Sequence, residues 1–474
     1  MKKVLITGHF NVVHAGHIRL FKYAKNFANN LIIAVENDKL AKNKAIIDEK
    51  LRLDGVKNIG IVNKAFLYGS NIEQLIKKIK PDFVLKGKEH ENKYNPEEKI
   101  LRKYGGKIIF SSGDVVFSSK DFINLPKQNE KKKFNLPKNF LNRHSLKENK
   151  LFSLIQEFNK KRICVIGDVI VDQYVETKAL GMSSEDPTIV VTPTDKVNYI
   201  GGSAIVAAHS SSLGAKTHLI SVTGKDDAKK FLIKNLKKIG VSYSLFEDES
   251  RPTTLKKRYR ANNKTLLRVS KLIQNSISKK IENEILKKIQ KLANNLDVII
   301  FSDFNYGCIS DDLILKVSKI AKKNGVLLFA DSQSSSQTGN ISRFKNMDLI
   351  FATEREARLA LSNKDDGLVV LAEKLKFKSK CKNLFIKLAE DGLLIHAYRK
   401  NKRDWLTDKI NSLNHNPKDV NGAGDAMMVV SVLAYVSGAN IWETALLGSL
   451  GSAIQINKIG NTPLSIKELS KEVV

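Results

Sequence analysis

Cysteine is scarce: the 474 residues contain three, Cys164, Cys308 and Cys381, far apart and without CxxC spacing. A disulfide framework and a cysteine zinc site are thereby excluded, and a reducing cytoplasm is the expected compartment. Long apolar runs are missing too. The apolar stretch at residues 4–6 is too short for a signal-peptide core, and no segment reaches the ~18 unbroken apolar residues of a membrane span. Neither export nor membrane insertion is expected. Acidic residues are outnumbered, 49 Asp plus Glu against 80 Lys plus Arg, for a formal net charge of +31. Such an excess can attract nucleic acid, an acidic surface or phosphorylated metabolites. No basic run interleaves with stacking aromatics and no RNA-binding signature occurs, so specific nucleic-acid binding is not expected. Substrates carrying several phosphates suit the charge.

What is present is an ordinary globular composition, 42% hydrophobic and 27% charged, in a chain long enough for two or three domains of ~100 to 200 residues. Residues 1–124 alternate β-rich runs at 4–7, 31–35, 59–62, 83–85 and 107–110 with helical stretches, the rhythm of a parallel sheet. From 125 to 150 the pattern decays into Pro, Asn and Lys, which predicts a basic linker. A second alternating pattern opens at residue 162, with buried-strand runs at 219–222, 298–302, 326–330 and 384–386, so residues 151–474 are expected to form one large α/β domain. No internal repeat is visible.

Two constellations carry chemistry. The first is His14-Ala-Gly16-His17, expected in the first turn of a helix that follows strand 4–7 and Gly8. Histidines spaced i, i+3 share a face where free backbone N–H groups and the helix dipole favour an anion, and Gly16 lets a phosphate approach the backbone. A zinc pair would need a third ligand at suitable spacing, which is lacking. The second is Asp419-Val-Asn421-Gly422-Ala423-Gly424-Asp425, a tight turn feeding a long apolar helix. Its amides would cradle a transferring phosphate, and Asp425 is placed to take the proton of an attacking hydroxyl.

The first constellation resembles the signature of the nucleotidyltransferase superfamily of cytidylyl- and adenylyltransferases, with Thr7-Gly8-His9-Phe10-Asn11 leading to His14 and His17. The resemblance implies that Thr7, Gly8, Phe10 and Gly16 meet the nucleotide, His14 and His17 stabilise the charge of the reacting phosphates, Lys86 and Gly87 meet the triphosphate, and Ser118 and Ser119 further phosphate oxygens. Asn11 stands where the family usually has Asp, and Lys120 where it has Thr. The second constellation resembles the ribokinase-like (PfkB) sugar kinases. That resemblance implies ATP and Mg²⁺, with Asp425 as base and Gly392 in a loose form of the family's Thr-x-Gly-x-x-Gly strand, here Lys387-Leu-Ala-Glu-Asp-Gly392. It further implies sugar contacts from Asp168, Asp172, Gly201, Gly202 and Asp303, cations for an anionic acceptor at Lys256, Arg258 and Arg268, and a Glu356 that organises magnesium through water.

The expected fold is therefore α/β throughout: a Rossmann-like HxGH nucleotidyltransferase domain followed by a ribokinase-like domain with a small β lid. Together the halves resemble the bifunctional heptose-phosphate kinase and heptose-1-phosphate adenylyltransferase enzymes, with the domain order reversed. Departures cluster in the acceptor region, at 181–187, 201–205 and 302–307, which points to a related phosphosugar. ATP or CTP would serve the transferase, and a homodimer through the kinase domain is the expected assembly. Two other readings compete: a transferase for glycerol- or ribitol-type phospho-alcohols, and a scaffold that binds sugar or nucleotide without turnover.

Overall fold

The computed structural model describes residues 2–13, 15–86, 94–110, 134–261, 264–334, 338–398 and 406–473. Two compact units result, Met1–Asn129 and Glu130–Val474. In the first, strands β1 (Lys3–Gly8), β2 (Asn30–Glu36), β3 (Lys64–Tyr68), β4 (Phe83–Lys86) and β5 (Lys107–Phe110) form one sheet in the order β3-β2-β1-β4-β5. Every pairing is parallel. Both faces are covered: Val4, Ile6, Leu31 and Val35 pack on one side, Leu5, Ile32, Ala34 and Val84 on the other. Burial on both faces is why these strands read as continuous apolar runs instead of alternating ones.

One strand lies elsewhere than expected. Residues 59–62 form turns, with Ile59 N–H donating to Val56 and Val62 N–H to Ile59, and their apolar side chains fill the core below the helix Glu49–Lys57. Parallel pairing to β2 begins only at Lys64. An apolar run can serve packing without entering a ladder.

The second unit holds β6 (Arg162–Gly167), β7 (Val169–Met182), β8 (Ile189–Gly202), β9 (Lys216–Thr223), β10 (Ser242–Glu247), β11 (Thr254–Ala261), β12 (Lys264–Lys271), β13 (Val298–Asp303), β14 (Leu327–Ser332), β15 (Leu349–Thr353), β16 (Asn383–Lys387), β17 (Leu393–His396) and β18 (Thr407–Ile410). A large sheet runs β10-β9-β6-β13-β14-β15-β16-β17-β18, and β12-β11-β7-β8 form a separate four-stranded sheet. The large sheet is parallel as far as β16, and its last two strands are antiparallel. The helices Ala423–Val436 and Ile441–Gln455 are apolar nearly all round and lie against each other inside one face of the core.

The segment expected as linker contributes to this unit. Lys138–Arg143 and the start of Glu148–Gln156 are helical, and Phe134, Phe140 and Leu146 are buried in the same core. His144 stacks on Trp442 at 4.0 Å and bonds Asp408 through Nε2 at 2.7 Å. Apolar anchors this widely spaced give no periodic signal, so only the tertiary partners expose them.

Candidate active sites

In the first unit β1 and β4 are neighbours at the point where strand order reverses, and the crevice beyond their C-terminal ends is where sheets of this kind bind ligands. Thr7 and Gly8 end β1, and Lys86 ends β4. The helix Ala15–Lys25 carries Gly16 and the half-buried His17 in its first turn. Phe10 is buried, with φ of 50°, and its ring lies 5.0 Å from that of His17. It therefore seats the imidazole from the core side. His14, Gly87, Ser118 and Ser119 lie outside the described residues.

Asn11 explains its own departure from the family pattern. Its Nδ2 donates to Lys44 O at 2.8 Å while its Oδ1 accepts from Ile46 N at 2.8 Å, pinning the 44–46 loop. An ionised aspartate could accept but not donate. Lys86 is engaged by Glu97 at 2.6 Å and Asn95 at 2.8 Å. Four residues near these strand ends escaped sequence reasoning: His9, Glu36, Tyr68 and Glu97. His9 pairs with Glu36 at 2.7 Å, and the Tyr68 phenol donates to Glu36 at 3.3 Å. Burial pushes the Glu36 carboxyl up, but His9 and Tyr68 outweigh it and hold the group below its ordinary value.

In the second unit the candidate residues line the C-terminal ends of the large sheet: Asp168 after β6, Asp303 on β13, Asp331 on β14, Glu356 just after β15 and Lys387 on β16. Asp425 lies in the first turn of the helix Ala423–Val436, just after Gly422 at φ of 78°. A side chain at 422 would be strained and would strike Asn461 Oδ1, so glycine is required for this turn. Asp425 is 6% exposed and accepts from Gln333 Nε2 at 3.3 Å. Burial, then the charge of Asp331, pushes its carboxyl up to about 7, against the pull of Lys387 and Lys256. A base poised there can take a proton near neutral pH.

The four-stranded sheet presents Asp172, Tyr174 and Glu176 of β7 in register with Lys256, Arg258 and Arg260 of β11. Arg258 pairs with Asp172 at 3.2 Å, and Arg260 lies over the Tyr174 ring at 4.9 Å. Gly201 sits so close to Asp172 that a Cβ would be 2.4 Å from Oδ2, and Gly202 starts the helix Ser203–Ser212. Lys256 is buried with its ammonium 5.2 Å from both the Phe304 and Tyr306 rings. Arg268 is exposed on β12 directly opposite Arg258. A cavity of about 260 Å³ lies between this sheet and the 417–421 loop, lined by Tyr174, Arg260, Thr265, Lys418, Asp419 and Asn421.

The glycine turn that starts the helix Ala423–Val436, the buried Asp425 and the cationic strand β11 thus lie close enough for Lys256 to act on Asp425. The model for "pfkB family carbohydrate kinase" matches residues 160–468. The chain belongs to the pfkB carbohydrate kinase family. The cytidylyltransferase-like model matches residues 5–130, so the chain joins a Rossmann-type cytidylyltransferase-like unit to a ribokinase-like pfkB unit. Two curated relatives are named "Bifunctional protein HldE". That of Helicobacter hepaticus is 29% identical over 318 residues, covering 66% of this chain and 64% of the relative. That of Helicobacter pylori (strain J99) is 28% identical over 314 residues, covering 65% of this chain and 66% of the relative. Each match thus spans less than two thirds of the relative's length. The expectation of a domain order reversed against such relatives is not borne out by these comparisons. Escherichia coli phosphofructokinase-2 shares the fold with a TM-score of 0.56 at 15% identity, covering 66% of this chain and 98% of that one. Arabidopsis thaliana ribokinase, complexed with ribose and ATP, gives 0.52 at 17% identity, covering 66% and 98%.

Within the pfkB unit several expected ligand contacts have structural partners. Asp168 accepts from the backbone N–H groups of Phe304 at 2.9 Å, Tyr306 at 3.3 Å and Cys308 at 3.1 Å, so its carboxylate fastens the 304–308 loop. Asp303 receives Ser332 Oγ and Arg343, each at 2.8 Å, and the N–H of Asn305. Glu356 closes a capping box with Thr353 and also accepts from Ser334 N–H. Gly392 closes the β16–β17 turn, where a Cβ would meet Ile410 O. Asn421 bonds Tyr174 and Asp419. Sequence reasoning missed Tyr174, Gln333, Asp331 and Lys387 as neighbours of Asp425 and its turn; the unusual lysine in the family's threonine position was the one available signal.

Proposed function

We propose that the chain is a two-site transferase preparing an activated sugar. The pfkB unit moves the γ-phosphoryl group of ATP to a hydroxyl of a phosphosugar, a heptose phosphate or close relative attacked at its anomeric position. The cytidylyltransferase-like unit joins a sugar 1-phosphate to ATP or CTP, with pyrophosphate leaving. The observation that carries this reading is Asp425, a buried carboxylate raised to about 7 at the N-terminus of a 14-residue helix whose turn demands Gly422. The names of the curated relatives support two activities in one chain.

In the kinase step Asp425 takes the proton as the hydroxyl oxygen attacks phosphorus, while the 422–424 amides hold the phosphoryl oxygens and ADP departs. Lys256, Arg258 and Arg268 supply charge for the acceptor's own phosphate, and Asp172 and Gly202 border the sugar. Magnesium supplies charge neutralisation when bound with the nucleotide. Among the described residues no three metal-ligating side chains converge, and both Glu356 oxygens already accept N–H groups. The ion would therefore take its ligands from phosphates and water, with Glu356 reaching it through water. In the transferase step His14 and His17 stabilise the charge building between attacking and leaving phosphates, and Lys86 exchanges Glu97 for the triphosphate.

No helix among the described residues is long and apolar enough to cross a membrane; a cytoplasmic enzyme, dimeric through its kinase unit, completes the proposal. The test uses purified protein with a panel of phosphosugars and NTPs. Asp425→Asn should abolish ATP-dependent phosphorylation alone, and His17→Ala nucleotidyl transfer alone. Wild-type protein that is correctly folded yet inactive in both assays overturns the reading.

A further inference from the structure

Lys387 brings a buried cation to the cradle. Its side chain is 12% exposed, and a Cβ built on Gly424 would lie 3.3 Å from its Nζ, so the ammonium sits against the first turn of the helix Ala423–Val436. That turn contributes backbone N–H groups that the helix itself leaves without partners. Nζ donates to Asp331 Oδ2 at 2.7 Å. An ammonium carries three donors, and Asp331 uses one. The other oxygen, Asp331 Oδ1, is buried without a hydrogen-bond partner. A buried ion pair costs several kcal/mol of desolvation unless further hydrogen bonds complete it. Two donors of the ammonium thus remain for an anion beside the Gly424 turn, whereas Asp331 Oδ1, an acceptor, takes no part in holding one. Burial works against the charged ammonium, but Asp331, Glu356 and Asp425 together more than offset it, and Lys387 stays protonated.

We propose that Lys387 is a catalytic residue of the kinase reaction, its ammonium contacting oxygens of the phosphoryl group in flight beside the Gly424 amide, with Asp331 holding it in position. The inference rests on the kinase reading above. The acceptor's hydroxyl oxygen forms the new bond to phosphorus, the bond to the β-phosphate oxygen breaks, ADP leaves with that electron pair, and the hydroxyl proton goes to Asp425. Negative charge spread over the three equatorial oxygens meets the ammonium in a site of low dielectric, where such a contact counts for more than in water.

The competing role is structural, with Lys387 serving only to neutralise Asp331, and a double replacement separates the two. With ATP and the best phosphosugar of the panel, Lys387→Met should lower kcat by about 10²- to 10³-fold, the range seen when one transition-state donor is removed, with acceptor KM within about threefold. Lys387→Arg should recover part of the loss. Asp331→Asn with Lys387→Met should restore the melting temperature but not kcat, and nucleotidyl transfer should persist as a check on the rest of the chain. A double variant that regains wild-type kcat, or a Lys387→Met variant that never lost it, overturns the proposal while the kinase reading stands. Wild-type protein that phosphorylates no sugar overturns both.

Discussion

The Tyr174 phenol donates to Asp419 Oδ2 at 3.1 Å and accepts from Asn421 Nδ2 at 3.0 Å, tying β7 of the small sheet to the loop that leads into the helix Ala423–Val436. Burial, then the charge of Asp419, pushes the phenol's pKa up, so it remains a donor across the working pH range. Asp419 also accepts from Gly460 N–H at 3.0 Å. The small sheet and the 419–421 loop are thus one hydrogen-bonded unit. Tyr174→Phe should cost about 1 kcal/mol of stability and raise the acceptor KM severalfold, read by denaturant unfolding and steady-state kinetics. Unchanged values for both would refute the coupling.

Asp425 sets a pH dependence in two observables. It must be ionised to accept a proton, so kcat/KM of the kinase should climb with pH and level off above about 7. Stability moves the other way. Because the folded-state pKa is raised from 3.8 to about 7, the folded chain keeps a proton that the unfolded chain loses, and stability falls as pH rises through that window. Asp425→Asn should therefore raise stability by about 1–3 kcal/mol above pH 7 and have little effect near pH 4. Melting curves at both pH values check the sign.

Arg52 holds the first unit's loops together. It is 2% exposed and donates to the carbonyls of Ile47 at 2.7 Å, His9 at 2.6 Å and Glu36 at 2.8 Å, besides pairing with Asp38. Arg52→Met leaves three carbonyls without that donor and should destabilise the unit by about 3–5 kcal/mol. Nucleotidyl transfer should fail at a temperature where the kinase still works, followed by assaying both activities along a temperature ramp.

Residues 134–150 belong energetically to the kinase. Phe134, Phe140 and Leu146 are each under 9% exposed, and burying such side chains is worth roughly 1.5–3 kcal/mol apiece. A chain starting at Glu130 should keep full kinase stability. One starting at Leu151 should melt well below it, by calorimetry. Equal melting temperatures would return the segment to the status of a tether.

Much of this was legible beforehand because it depends on neighbours in the chain. Fully apolar strands announce a sheet covered on both faces, and Gly-Ala-Gly before an apolar helix announces a tight turn at the helix start. Less legible was the distinction between a carboxylate that meets ligand and one that meets backbone. Asp168 and Asp425 both follow glycine near apolar segments. The first is consumed by N–H groups about 136 to 140 residues away, and the second faces Gln333 and a cation.

By itself the amino-acid order determined two α/β units and the glycine turn that starts the helix Ala423–Val436, since periodicity, glycine and helix termini act over a few residues. The folded chain alone decided which charges meet. Lys387 reaches Asp331 and Gly424 because β14, β16 and the helix Ala423–Val436 bring their ends together, and Lys256 reaches the Phe304 and Tyr306 rings from another sheet. Coulomb forces and hydrogen bonds act over distances in space, and those distances exist only once remote strand ends share one sheet edge.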